Sequence, residues 1–366
     1  MVTYHYAMGT NMETFRKWWQ SKAVQRVIIG AAALLVPVHV ALAEELRMLT
    51  WQGYAEPAFI EEFEKAEGVT VSRTYVGSND EYMAKLAAGG GDYDLTVIVS
   101  SLAQTAIKAG FVEPIDVDKL SNWKDLPEAY RKLDFNESEG KVYGVCTFWG
   151  TQPVTVNAKE IPEGGDYGVL FDPKYSGKIA MWDDVSTLGE VASFMGYDNI
   201  WTLSDEQLDA VKKKMIEQKK LLRKYWTTPG EIIALFGTGE VVASNSWNFI
   251  TQEAKRQGIN VRDFNPNPPI GWIDSHFIVK GSKHQELATK LIDHLISAKV
   301  QAMIGEKTGY SVCNPKAKEF MDAATWDRLY MDEGISMLKE MKFWEEIPRR
   351  AKYLEILNEV KAASVQ

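Results

Sequence analysis

Five tryptophans stand at segment ends among polar residues: Trp51 in LTWQGY, Trp149 in TFWGT, Trp182 in AMWDD, Trp247 in SNSWNF and Trp272 in IGWIDS. Acids accompany two of them. Asp183 and Asp184 follow Trp182, and Asp274 lies two residues past Trp272. In an extended strand that spacing puts Trp272 and Asp274 on one face. An indole face attracts a cation by about 0.5–2 kcal/mol, and a carboxylate adds a charge-assisted hydrogen bond. The chemistry this pattern fits is recognition of a small ammonium. Any one of these residues suits a structural role equally well; the repeated pairing of aromatic with acid points to a cation box.

Motifs of turnover do not accompany the pattern. The chain has no G-x-x-x-x-G-K-S/T phosphate loop, no G-x-G-x-x-G, no H-E-x-x-H and no G-x-S-x-G. Past residue 43 the histidines are His276, His284 and His294. His276 alone is placed to face a cleft, and it has no neighbouring Cys or second His to complete a metal site. No Ser/His/Asp set has motif spacing, so a hydrolase is the weaker alternative. No catalytic residue, cofactor or metal is expected.

The elements that must position the tryptophans alternate in type. Leu46–Trp51 reads as a strand, and Pro57–Lys65 as a helix with Phe59, Ile60 and Phe63 on one face. Residues 69–75 alternate like a strand. A helix over 80–88 ends in Gly89-Gly90-Gly91, and the near-continuous apolar run 93–99 reads as a buried strand before a short helix at 102–109. This β-α-β-α-β-α order predicts an α/β lobe with a parallel sheet. Residues 143–157 form a long extended stretch that leaves this lobe, and 271–279 a second that returns. Between them lie a strand at 178–182, a Lys-rich amphipathic helix over 205–226, a helix at 229–236, a strand at 241–244 and a helix at 247–256. Helices follow at 285–296 and 347–362. Two α/β lobes joined by extended crossings suit a hinge, because a few strand-end residues can absorb a rotation.

The first 43 residues do not read as part of a fold. Arg16, Lys17, Lys22 and Arg26 precede an apolar run of 17 residues, Val27 to Ala43, which ends in Ala41-Leu42-Ala43. That is the pattern of a cleavable secretory signal, cut after Ala43. A membrane anchor is the competing reading, disfavoured by Pro37, His39 and the short run. The 323 residues that remain carry −12 of charge against −9 for the whole chain, since the leader holds four basic residues and one acid. An acidic exported chain of that size argues against nucleic acid and anionic membrane partners and suffices for two lobes. Cys146 and Cys313 either form a disulfide in an oxidising compartment or serve as two buried apolar thiols.

At these residues the chain resembles the spermidine/putrescine-binding family of bacterial importers. The resemblance runs through Trp51-Gln52-Gly53-Tyr54, Tyr82-Met83-Ala84-Lys85-Leu86, Trp149-Gly150, Trp182-Asp183-Asp184, Gly239-Glu240-Val241, Trp247-Asn248, Trp272-Ile273-Asp274-Ser275 and Thr308-Gly309-Tyr310 with Asn314-Pro315. It implies a two-lobed periplasmic binding protein fold of α/β class, each lobe a mainly parallel sheet flanked by helices. The expected lobes are 44–148 with 273–318, and 149–272 with 319–366. The resemblance implies a periplasmic, non-enzymatic substrate-binding protein of an ABC importer. Its partners would be a small cationic or zwitterionic solute and the membrane permease subunits, with the chain acting as a monomer. Trp51 and Tyr54 would line the cleft from the first lobe, facing Asp184 and Trp247. Trp272, Asp274 and Tyr310 would sit near the hinge, with Asp274 anchoring an amine.

The sequence departs from the family at four places. Thr187 stands where a second carboxylate is expected, Gly53 where an acid is expected, and Ser101 where an aromatic is expected. Glu345 stands in place of a Gln and is expected to return one acid to the site. Fewer acids weaken the case for a long polyamine, because each desolvated ammonium needs a partner. Arg349 or Arg350 could instead clamp a carboxylate, which would favour an ω-amino acid such as 4-aminobutyrate.

Overall fold

The computed structural model describes residues 44–332 and 334–364. The expected leader and its cleavage after Ala43 lie outside the described residues. Strand β1 (Glu44–Trp51) pairs in parallel with β2 (Val69–Val76) and β3 (Leu95–Val99). The helix between β1 and β2, Pro57–Glu67, starts on a proline and stops at Gly68, whose φ of 69° no β-carbon residue adopts cheaply. It buries Phe59, Ile60 and Phe63, as their spacing predicts.

Further along, β4 (Val112–Glu113), the hairpin β5 (Glu137–Ser138) and β6 (Lys141–Val142), and β7 (Gly144–Thr151) lead to β8 (Val154–Asn157). The long extended stretch thus breaks at Gln152-Pro153, where the chain passes from one sheet to another. The second sheet is completed by β9 (Ile179–Trp182), β10 (Leu222–Trp226), β11 (Ala243–Asn245) and β12 (Val261–Phe264). The return strand β13 (Ile270–Val279) is buried at every position and belongs wholly to the first sheet, with β14 (Ser311–Val312) and β15 (Lys342–Phe343).

The first sheet runs β14–β7–β13–β3–β1–β2, with β4 and β15 paired to β13; the second runs β10–β9–β11–β8–β12. Each is parallel at one end and antiparallel at the other. The strands that carry the chain between lobes are the antiparallel ones: β13 against β3 and β7, and β8 against β11 and β12. A strand entering from the other lobe has no crossover helix to reverse it, so it enters antiparallel.

One expected element is corrected. The Lys-rich helix ends at Lys219, and Leu222–Trp226 is an edge strand paired with β9. The helix opens on a capping box, Ser204 with Gln207. Past Lys219 the aromatics decide otherwise: Trp226 is fully buried, stacks on Trp182 at 5.8 Å and donates to Ser244 Oγ at 2.9 Å, a position only a strand reaches.

Cys146 on β7 and Cys313 after β14 are disulfide-bonded across a separation of 167 residues. The bridge ties the segment after helix Ala298–Thr308 to the strand that leads out of the first lobe. No helix among the described residues is long and apolar enough to cross a membrane.

Candidate functional site

The strand ends of the two sheets converge on a narrow chamber, with a cavity volume of about 20 Å³, walled by Trp51, Trp182, Trp247, Trp272 and Trp344. Tyr54, Asn79, Val99 and Asp274 complete the lining. Trp51 closes β1, and Tyr54 follows a turn at Gly53, whose φ is 91°. Trp182 closes β9, and Trp247 stands immediately before helix Asn248–Arg256. Ligands gather at the carboxyl ends of parallel strands because the connections diverge there and leave a crevice.

Trp272 and Asp274 sit two residues apart on β13 and both reach the chamber. The cross-strand partner of Trp272 is Gly150, and a β-carbon there would lie 2.7 Å from the indole. Glycine at 150 is what lets the ring lie flat over β7. Behind it, Tyr310 packs edge-on against Trp272 at 4.8 Å and against Tyr54 at 5.8 Å. Across the lobes, Trp51 meets Trp247 at 5.9 Å, and Trp247 stands nearly perpendicular to Trp182 at 4.8 Å. Trp182 stacks on Trp344 at 5.8 Å.

Asp274 is 3% exposed. Its Oδ2 accepts a 2.6 Å hydrogen bond from the Tyr54 hydroxyl, and its Oδ1 has no partner. Burial pushes its pKa up to about 7, and the Tyr54 bond partly opposes that rise. Burial and the neighbouring Asp274 charge hold the Tyr54 hydroxyl well above its ordinary value, so it is a donor at any working pH. An unpaired buried carboxylate oxygen is costly unless a donor arrives. A cation facing it, surrounded by indole faces, supplies both the donor and the charge.

A polar network stands behind the tryptophan wall. Glu190 is buried and accepts from Gln152 Nε2, from Asn245 Nδ2 at 2.8 Å and from the Tyr167 hydroxyl at 3.1 Å. Burial pushes its pKa up to about 8, so it is largely neutral at pH 7. Gln152 in turn accepts from the Trp344 indole at 3.1 Å, and Asn245 accepts from the Trp182 backbone N–H at 2.7 Å. Glu190 therefore fixes two walls of the chamber without entering it.

Of the residues expected at the site, Trp51, Tyr54, Trp247, Trp272 and Asp274 line the chamber together, and Tyr310 backs it. Asp184 does not line it. That carboxylate lies beside an outer mouth formed by Gln52, Ser78, Asp80, Asp183 and their neighbours. Its Oδ2 accepts from the backbone and side-chain nitrogens of Asn79, at 3.1 and 3.2 Å, and its Oδ1 from Ser186 N at 2.9 Å. Glu345 is exposed, and its neighbour Trp344 takes the place in the wall. Arg349 pairs with Asp205, and Arg350 with Asp80 at 3.0 Å. His276 is buried on β13 within 2.5 Å of Thr147 Oγ1, and burial lowers its pKa to about 3, so it is neutral. No group of three metal-ligating side chains occurs among the described residues.

A two-lobed α/β body with an aromatic chamber between its sheets defines a solute-binding protein, and the chain belongs to the bacterial extracellular solute-binding proteins, whose family model matches residues 58–330. It is 26% identical over 328 residues to the spermidine/putrescine-binding periplasmic protein of Escherichia coli, an alignment that covers 87% of this chain and 91% of that one. The fold is that of PotD, the spermidine/putrescine ABC transporter substrate-binding protein of Streptococcus pneumoniae, with a TM-score of 0.70, 20% identity, and coverage of 87% and 99%. It is equally that of MotA from A. tumefaciens in complex with glucopine, with a TM-score of 0.72, 18% identity and the same coverage. Family and relatives are binding proteins, not enzymes.

Proposed function

We propose that this chain is the periplasmic binding component of an ABC importer and that its guest is an amine cation of the putrescine/spermidine type. The observation that carries this reading is Asp274 Oδ1, buried and without a partner in a chamber walled by indoles. The naming of relatives for spermidine and putrescine supports it. An ω-amino acid such as 4-aminobutyrate would need a cation for its carboxylate, and Arg349 and Arg350 are both spent outside the chamber.

The lobes exchange chain at Gln152-Pro153, at 265–269 and after Phe343, and these three crossings form the hinge. A guest that touches Trp51 and Trp272 from one lobe and Trp182 and Trp247 from the other favours the closed form through contacts the open form lacks. The closed form is what the permease subunits receive, from a protein acting as a monomer in the periplasm after removal of the leader at Ala43. The test is calorimetric titration of protein stripped by unfolding and refolding, with putrescine, spermidine and 4-aminobutyrate. Micromolar or tighter binding of an amine is expected; silence for every amine from a folded protein would refute the reading.

A further inference from the structure

We propose that the closed cleft anchors only one ammonium group of its guest, an N–H-bearing one held by Asp274, and that Asp184 staples the lobes instead of anchoring a second ammonium. The proposal rests on the reading above that the guest is an amine cation.

The first support is the count of acceptors. Within the lining, Asp274 is the one carboxylate, and one of its oxygens is already taken by Tyr54. The remaining oxygen, Oδ1, is the one carboxylate oxygen left to receive an N–H. A fully alkylated ammonium has none to give and would leave that acceptor orphaned. The other polar side chains of the lining carry no charge: Tyr54 donates to Asp274, and Asn79 donates its amide N–H to Asp184 and keeps only a neutral carbonyl oxygen.

The second support is what Asp184 already does. It joins Asn79, the first residue of helix Asn79–Gly89 in the first lobe, to Ser186, the first residue of helix Ser186–Phe194 in the second. Two helix N-termini thus converge on one carboxylate, and both dipoles favour its negative charge. The Arg350 guanidinium adds to this, acting against the rise that burial imposes on the Asp184 pKa. Its charge is met by protein groups from both lobes. Trp182 Nε1 donates to Gly77 O at 3.3 Å beside this contact, so the same seam separates the chamber from the outer mouth.

The third support is that nearby positions cannot supply a second acid. Thr187 is fully buried, donating to Trp182 O at 2.8 Å and accepting from Asn245 at 3.2 Å. At Gly53 a β-carbon would lie 2.6 Å from the Phe249 ring. Asp183 holds Lys361 with both oxygens at 2.8 Å, outside the chamber. A second ammonium inside would meet indole faces and no carboxylate, and so adds little affinity.

The test is calorimetry with butylamine, putrescine and butyltrimethylammonium on the stripped protein, and again on Asp184→Asn. The expectation is that putrescine binds less than about tenfold tighter than butylamine, and that the quaternary compound binds at least about tenfold weaker than butylamine. In D184N both amines should weaken by the same factor, because closure itself is impaired. Putrescine binding about tenfold or more tighter than butylamine, or a selective loss of putrescine in D184N, would overturn the proposal while leaving the amine reading intact. Equal binding of the quaternary compound would overturn the N–H requirement. Silence for all three from a folded protein would overturn the amine reading as well.

Discussion

Lowering the pH should weaken guest binding through Asp274. The Asp274 carboxyl is buried in the closed cleft, where its pKa is raised to about 7. An ammonium needs the carboxylate, so below that pKa a proton must leave as the guest enters. Alkylammonium groups, with pKa values near that of lysine at about 10.4, stay charged throughout. Affinity is therefore complete above about 7 and falls roughly tenfold per pH unit below it, which at pH 5 is about 100-fold, or about 2.7 kcal/mol. In stability terms the sign is opposite. A carboxyl whose folded pKa lies above the unfolded value of 3.8 makes the guest-free protein lose stability as pH rises from about 4 to about 7, and the guest restores it. The assay is calorimetry at pH 5, 6, 7 and 8 in two buffers of different ionisation enthalpy. Proton release should approach one per guest at pH 5 and vanish at pH 8. A dissociation constant that is flat from pH 5 to 8, with no proton release, would refute the placement of the ammonium on Asp274.

Three further outcomes follow from the same contacts. Tyr54→Phe removes the hydrogen bond that holds Asp274 ionised, so the pH midpoint of binding should move upward and affinity at pH 7 should drop about tenfold or more. Glu190→Gln should leave stability within about 1 kcal/mol, since a neutral amide can serve Gln152, Asn245 and Tyr167, whereas Glu190→Ala should cost about 2 kcal/mol or more in urea unfolding. Because the Glu190 pKa is raised from 4.5 to about 8, wild-type stability should fall as pH rises through that window, and E190Q should flatten the profile. Reducing Cys146–Cys313, which closes a loop of 167 residues, should lower stability by about 2–5 kcal/mol, read as a shift of the denaturant midpoint.

The fold was legible in the sequence where periodicity and punctuation agreed. Phe59, Ile60 and Phe63 announce their helix, and the Pro57 and Gly68 that bound it are visible as letters. Leu222–Trp226 was not legible, because a Lys-rich helical pattern runs into it and only the packing of Trp226 on Trp182 decides for a strand. The antiparallel half of each sheet was hidden for a related reason: whether an extended stretch crosses between lobes is settled by pairing partners far away in sequence. At the site, Trp272 and Asp274 were readable because period-two spacing alone places them on one face. Asp184 was legible as an acid beside a tryptophan, yet its hydrogen bonds to Asn79 and Ser186 are three-dimensional facts. Trp344 was missed in favour of its neighbour Glu345. In a short segment of FWEE, only the tertiary packing after β15 decides which side chain faces in, and the indole that Gln152 holds is the one that does. Trp182 was visible as one of the tryptophans at segment ends, but the acids beside it drew the assignment away.

The most direct test of the central claim is to titrate putrescine into the wild-type protein and into Asp274→Ala side by side, with circular dichroism and thermal unfolding as controls. The expected result is a loss of affinity of about 100-fold or more, since the partner of a desolvated ammonium is gone, with an unchanged fold and a melting temperature without guest at least as high as that of the wild type. An Asp274→Ala protein that is folded and binds putrescine as tightly as the wild type would contradict it.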